Sequence, residues 1–127
     1  MVQNGHDVAV IEYHSGDEYQ NNYGTARISY YAVTGFPTVK FDGILSSVGA
    51  SGDMYPAYLV KYNQRINVMS DYSISAIGSN AGMTDYEVVV TVEKVGSGSI
   101  DNPKLHIALT ETDIPEFWGG LSEVNFF

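Results

Sequence analysis

The sequence predicts an α/β segment over residues 1–70, followed by an antiparallel β segment over residues 71–127. Three observations carry this. Two β-branched or aromatic runs, 8–13 and 36–41, flank a stretch whose apolar residues recur at helical spacing. A second helical stretch runs from about 54 to 69. Beyond Ser70, short β-type runs alternate with turn residues, as in an antiparallel sheet or half of a sandwich.

The run from Val8 to Tyr13 reads as a buried strand. Ser15 and Glu18 then have the spacing of a capping box, in which the serine oxygen takes a free backbone N–H and the glutamate reaches back. Tyr19, Tyr23, Ala26 and Tyr30 line one face of a helix from about 18 to 31. Gly35-Phe36-Pro37 ends it, because the residue before proline is driven out of the α region. A strand from Phe36 to Phe41 leads into an Asp42-Gly43 turn, and residues 44–49 are its hairpin partner. Asp53 is the expected N-cap of the second helix and Pro56 sits in its first turn. Tyr55, Leu59, Tyr62, Ile66 and Met69 form its apolar stripe, a core pattern rather than a ligand box.

In the second segment, residues 72–77 alternate as a half-buried strand should, and residues 86–92 are a dense β-branched run. Residues 95–103 are a loop by composition. Residues 105–111 and 121–127 read as two further strands.

Composition narrows the function classes. A formal charge of −9 with six Lys and Arg repels nucleic acid and anionic membranes. No apolar run is long enough to cross a bilayer, and residues 1–7 lack the basic-then-apolar pattern of a signal peptide. Zero cysteines exclude disulfides and thiolate chemistry in this chain. Ten tyrosines suit half-exposed strands and contact surfaces.

Tyr31, Val33, Gly35, Phe36, Pro37, Thr38, Val39 and Phe41 together resemble the segment of the thioredoxin superfamily that carries the cis-proline before a strand. The order strand, helix, proline-strand, strand, helix, β segment is similar to bacterial secreted or outer-membrane-associated proteins in which a thioredoxin-like domain precedes a β-sandwich. Residues 110–115 and 118–125 also resemble the sandwich part. The fold class is then a partial thioredoxin-like α/β domain over 1–70, followed by a partial antiparallel β-sandwich over 71–127. The resemblance implies a cis Phe36–Pro37 bond, and a substrate- or peptide-binding corner at Gly35, Phe36, Pro37 and Thr38. It also implies an extracytoplasmic location.

Size sets a further expectation. A thioredoxin fold needs a strand and the Cys-x-x-Cys helix before the Val8 strand, and a βαβ unit takes about thirty residues. Seven residues precede Val8. An immunoglobulin-like sandwich takes about 100 residues, and 57 run from 71 to 127. Both domains are expected to be truncated. In the family's sheet order, the missing strand lies between the Val8 and Pro37 strands.

Other chemistry finds little footing. His6, His14 and His106 have no ligand spacing, so His14 with Asp17 and Glu18 reads as a capped loop rather than a metal site. Glu111, Asp113 and Glu116 read as a solvated loop or helix start. Trp118 beside Gly119 could stack on a sugar, but burial against the sheet is favoured. There is no Gly-x-Ser-x-Gly elbow, dinucleotide fingerprint or P-loop. No catalytic residue, cofactor or metal is assigned.

The expected function is that of a redox-inactive piece of a thioredoxin-like secreted or envelope protein, whose parent carries out thiol–disulfide exchange. It contacts a protein or peptide at the Pro37 loop. The alternative is a cell-surface β-sandwich module for carbohydrate or protein. A homodimer joined through the β segment is expected, because incomplete sheets leave open edges and uncovered apolar faces.

Overall fold

The computed structural model describes residues 4–111, 115–118 and 121–124. These residues form a mixed α/β chain in the order α1 (Asn22–Tyr30), β1 (Thr38–Phe41), β2 (Leu45–Val48), α2 (Tyr55–Arg65), β3 (Tyr72–Asn80), β4 (Tyr86–Lys94), β5 (Pro115–Trp118) and β6 (Leu121–Val124). The strands pair as three antiparallel hairpins, β1–β2, β3–β4 and β5–β6. The chain divides into two compact units, Met1–Ile66 with Ile107–Phe127, and Asn67–His106.

In the first unit, the strand expected at Val8–Tyr13 is absent: the segment has no strand pairing, and Val10 and Ile11 are exposed. β-branched residues favour an extended chain, but a strand also needs a neighbour to take its N–H and C=O groups. None of the described strands supplies one.

α1 starts four residues after the expected 18, and its N-cap lies six residues beyond Ser15. Asn21 is its N-cap, with Oδ1 accepting the Gly24 N–H at 2.8 Å. The residues before it are held in a turn. Asp17 Oδ1 accepts the Tyr19 N–H at 3.0 Å, and Gln20 Oε1 accepts the Gly16 N–H at 2.6 Å.

The helix also ends before the Gly-Phe-Pro corner. Ala32 N–H donates to Ser29 C=O and Val33 N–H to Ile28 C=O, the paired bonds of a Schellman motif. Ala32 occupies its left-handed position at φ 49°, where a Cβ costs roughly 1–2 kcal/mol. Ala32→Gly is therefore expected to stabilise the chain by about 1 kcal/mol, read as a higher midpoint in urea unfolding. An unchanged or lower midpoint would contradict this C-cap.

β1 and β2 pair from Thr38 with Val48 to Phe41 with Leu45. Asp42 (φ 50°) and Gly43 (φ 69°) turn the chain, and Ile44 N–H closes onto Phe41 C=O at 2.9 Å. Val39, Phe41, Leu45 and Ser47 share one face by this register. α2 packs there, with the Tyr58 ring 5.9 Å from that of Phe41.

α2 ends at Arg65, earlier than the 54–69 expectation, so Met69 lies outside it and is fully exposed. Asp53 does accept the Tyr55 N–H at 2.9 Å, although the N-cap position itself is Met54. The β1–β2 turn is fastened twice. Arg65 Nε meets Asp42 Oδ2 at 2.9 Å. The Tyr31 ring lies so close that a Cβ on Gly43 would stand 2.8 Å from Tyr31 Cε1.

In the second unit, β3 and β4 pair over nine residues each, from Tyr72 with Lys94 to Asn80 with Tyr86. The register sorts the side chains. Tyr72, Ile74, Ala76 and Gly78 share a face with Val88, Val90, Val92 and Lys94, while Ser73, Ser75, Ile77 and Ser79 share the other with Glu87, Val89, Thr91 and Glu93. Tyr86 lies on the apolar face, where its ring covers the Gly78 site.

The open end of the hairpin is closed by Asp71. Its carbonyl accepts from the Val95 and Gly96 N–H groups, and its carboxylate takes the Gly98 N–H at 2.9 Å. Half-burial was expected for residues 72–77; instead Ile74 is 62% and Ile77 72% exposed.

Residues 105–109, read as a strand, have no strand pairing, and Leu109 is fully exposed. Residues 110 and 111 are likewise outside any strand. Pro115–Trp118, expected as loop or helix start around Glu116, is strand β5, and its partner β6 covers Leu121–Val124 of the strand expected over 121–127. Asp113, Gly119 and residues 125–127 lie outside the described residues. Among residues 4–111, no hydrophobic side chain is fully buried; the buried positions there are Gly24 and Ser47.

Candidate functional site

Gly35, Phe36, Pro37 and Thr38 lie together in the corner between α1 and β1, and local bonds fix its shape. Thr38 Oγ1 donates to Gly35 C=O at 2.6 Å, which closes the corner on itself. Gly49 N–H donates to Pro37 C=O at 2.8 Å, tying it to the end of β2. Gly35 approaches the Val48 side chain, and a Cβ there would stand 3.6 Å from Val48 Cγ1. The Phe36–Pro37 bond is cis.

This arrangement leaves an apolar point in water. Gly35 and Thr38 are half-buried, whereas Pro37 is exposed and Phe36 is 59% exposed. Among the described residues, the Phe36 backbone makes no backbone hydrogen bond. An exposed ring beside backbone groups that have no backbone partner can take an apolar side chain and hydrogen-bond an extended chain.

The polar groups near α1 have structural tasks. His14 Nδ1 meets Asp17 Oδ2 at 2.9 Å, with the Tyr19 ring at 5.3 Å from the imidazole. Among the described residues, no group of three or more His, Asp or Glu is placed to hold a metal ion. Arg27 stacks 5.2 Å from the Tyr30 and Tyr31 ring centres and donates to the Tyr31 hydroxyl at 3.3 Å. A side-chain hydrogen bond with Tyr13 raises its pKa further above an already basic value. Arg27 thus orients Tyr31 over the β1–β2 turn. The i, i+4 spacing of Arg27 and Tyr31 was the signal that could have found this pair.

His6 Nε2 lies 2.9 Å from the Tyr55 hydroxyl, and its ring is 4.7 Å from that of Tyr62. Tyr55 and Tyr62 of the expected stripe thus hold the N-terminal segment against α2. No helix among the described residues is long and apolar enough to cross a membrane. Compared with protein-family models, curated proteins and solved structures, the chain shows no match.

Proposed function

We propose that this chain is a redox-inactive, partial thioredoxin-like α/β unit followed by a β-sandwich segment, acting as a protein- or peptide-contact module. The observation that carries the reading is the Gly35–Thr38 corner, where bonded neighbours hold Phe36 exposed. The chain has no cysteine, so it forms no mixed disulfide and its contact with a partner is non-covalent. An extended peptide would lie beside Phe36 and set an apolar side chain on its ring. The resemblance of residues 31–41 to the cis-proline segment supports an extracytoplasmic parent with thiol–disulfide or peptide-binding activity.

A screen of immobilised random pentadecapeptides tests this. Phe36→Ala is expected to weaken the selected peptides at least tenfold while the far-UV circular dichroism stays unchanged. Amide shifts of the wild-type chain on adding peptide should centre on residues 35–38. Shifts confined to other segments, or equal binding by the variant, would defeat the reading.

A second reading rests on a different observation, the exposed apolar face of β3–β4. It makes the β segment an association surface and the chain a homodimer.

A further inference from the structure

We propose that Asn4–Gly5 is a site of spontaneous covalent modification, where water converts the asparagine into aspartyl and isoaspartyl forms. This goes beyond peptide contact at the Gly35–Thr38 corner and does not depend on it.

The chemistry is intramolecular. The Gly5 amide nitrogen, its proton taken by hydroxide, attacks Asn4 Cγ. The Cγ–Nδ2 bond breaks and ammonia leaves, which closes a five-membered succinimide. Water then opens the ring at either carbonyl. Attack at Cγ leaves an ordinary aspartyl residue. Attack at the backbone carbonyl leaves an isoaspartyl residue, and the chain then runs on through Cγ. One water enters and one ammonia departs, with no oxidation or reduction.

Three observations place the reaction here. Asn4–Gly5 is the one Asn-Gly pair in the sequence. Glycine has no Cβ to shield its amide nitrogen or to resist the backbone rotation that ring closure requires. Both residues are exposed, so water and hydroxide reach them. Gly5 has φ 73°, and among the described residues a Cβ built there would meet nothing within 4 Å. Open space therefore surrounds the attacking nitrogen. The segment is fastened one residue later, where His6 meets Tyr55 and Tyr62, so the ring can close without breaking that clasp.

The corresponding Asp-Gly pair, Asp42–Gly43, shows the reverse. It can form the same succinimide by losing water. Here Arg65 Nε holds Asp42 Oδ2 at 2.9 Å, the Tyr31 ring covers Gly43, and the Ile44 N–H closes onto Phe41 C=O. Ring closure at Asp42 would require the turn to open and the carboxylate to leave Arg65. The fold thus leaves one pair reactive and locks the other. The product at Asn4 puts a new carboxylate two residues before His6 and makes a chain of net charge −9 more negative still.

The full chain, held at about pH 7.4 and 37 °C and sampled over weeks, tests this. A more acidic species should grow in on anion exchange, heavier by the exchange of an amide NH2 for OH. Fragmentation mass spectrometry should place the change at Asn4 before Asn21, Asn22, Asn63, Asn67, Asn80 or Asn102, with the isoaspartyl form in excess. Gly5→Ala should slow it at least fivefold. Asn4→Gln, whose side chain closes only a six-membered ring, should lose the species over the same period. Isoaspartate at Asp42 should be absent from the folded chain when Asn4 is half converted, and should appear in urea. An intact Asn4 while another asparagine reacts, or an equal rate in Gly5→Ala, would overturn the site. Isoaspartate at Asp42 forming as fast in the folded chain as in urea would overturn the locking of the second pair.

Discussion

Gly96→Ala is expected to destabilise the β3–β4 unit by about 2–4 kcal/mol, combining overpacking with a weakened charge-assisted hydrogen bond. A Cβ at this position would stand 2.8 Å from Asp71 Cα, and closer still to its carboxylate. A side-chain tip could swing aside, but a backbone atom that anchors the first residue of the closure cannot. The loop must lift, and the Val95, Gly96 and Gly98 N–H groups then lose Asp71 together. Asp71→Ala is the informative companion. It removes the carboxylate bond to Gly98 but keeps the carbonyl that serves Val95 and Gly96, so its cost should be smaller, about 1–2 kcal/mol. Urea unfolding gives the magnitudes, and hydrogen exchange at the Val95 and Gly96 amides gives the place. If Gly96→Ala matched the wild type in both, Asp71 would not be closing this loop.

The second large effect is expected at Gly43. Gly43→Val places a β-branched residue at φ 69°, where an L-residue costs roughly 1–2 kcal/mol, and drives its Cβ to 2.8 Å from Tyr31 Cε1. The sum should be about 2–3 kcal/mol. The two causes separate in a double-mutant cycle. Tyr31→Ala removes the collision and leaves the backbone cost, so Gly43→Val should be about 1 kcal/mol milder in that background. Strict additivity would mean that Tyr31 does not rest on the turn.

What could be read from the sequence was chiefly what local chemistry decides. The Asp42-Gly43 turn with its hairpin, the breaks at Pro37 and Asp53, and the β3 and β4 runs all follow from φ preferences and β-branched composition. Features that needed a partner elsewhere misled. Val8–Tyr13 and residues 105–111 have strand composition but no strand beside them. The Ser15–Glu18 spacing lost the helix start to Asn21, because Asp17 and Gln20 spend their oxygens on the preceding turn. At the candidate site, the residue set Gly35 to Thr38 was legible from the segment pattern. The bond from Gly49 that ties the corner to β2 was not, since it depends on the hairpin register. Arg27 escaped notice because its stacking on Tyr30 and Tyr31 serves a turn twelve or more residues away.

The two fasteners on the β1–β2 turn differ in kind, and this gives the first unit a distinctive response to ionic strength. Arg65 with Asp42 is an ion pair whose carboxylate is 61% exposed, so dissolved sodium chloride screens it. The Tyr31 ring over Gly43 is an apolar contact, and strongly hydrated anions such as sulfate tighten it by being excluded from protein surface. Chloride at high concentration should therefore free the α2 side of the turn. Sulfate at the same ionic strength should free that side while gripping the α1 side harder.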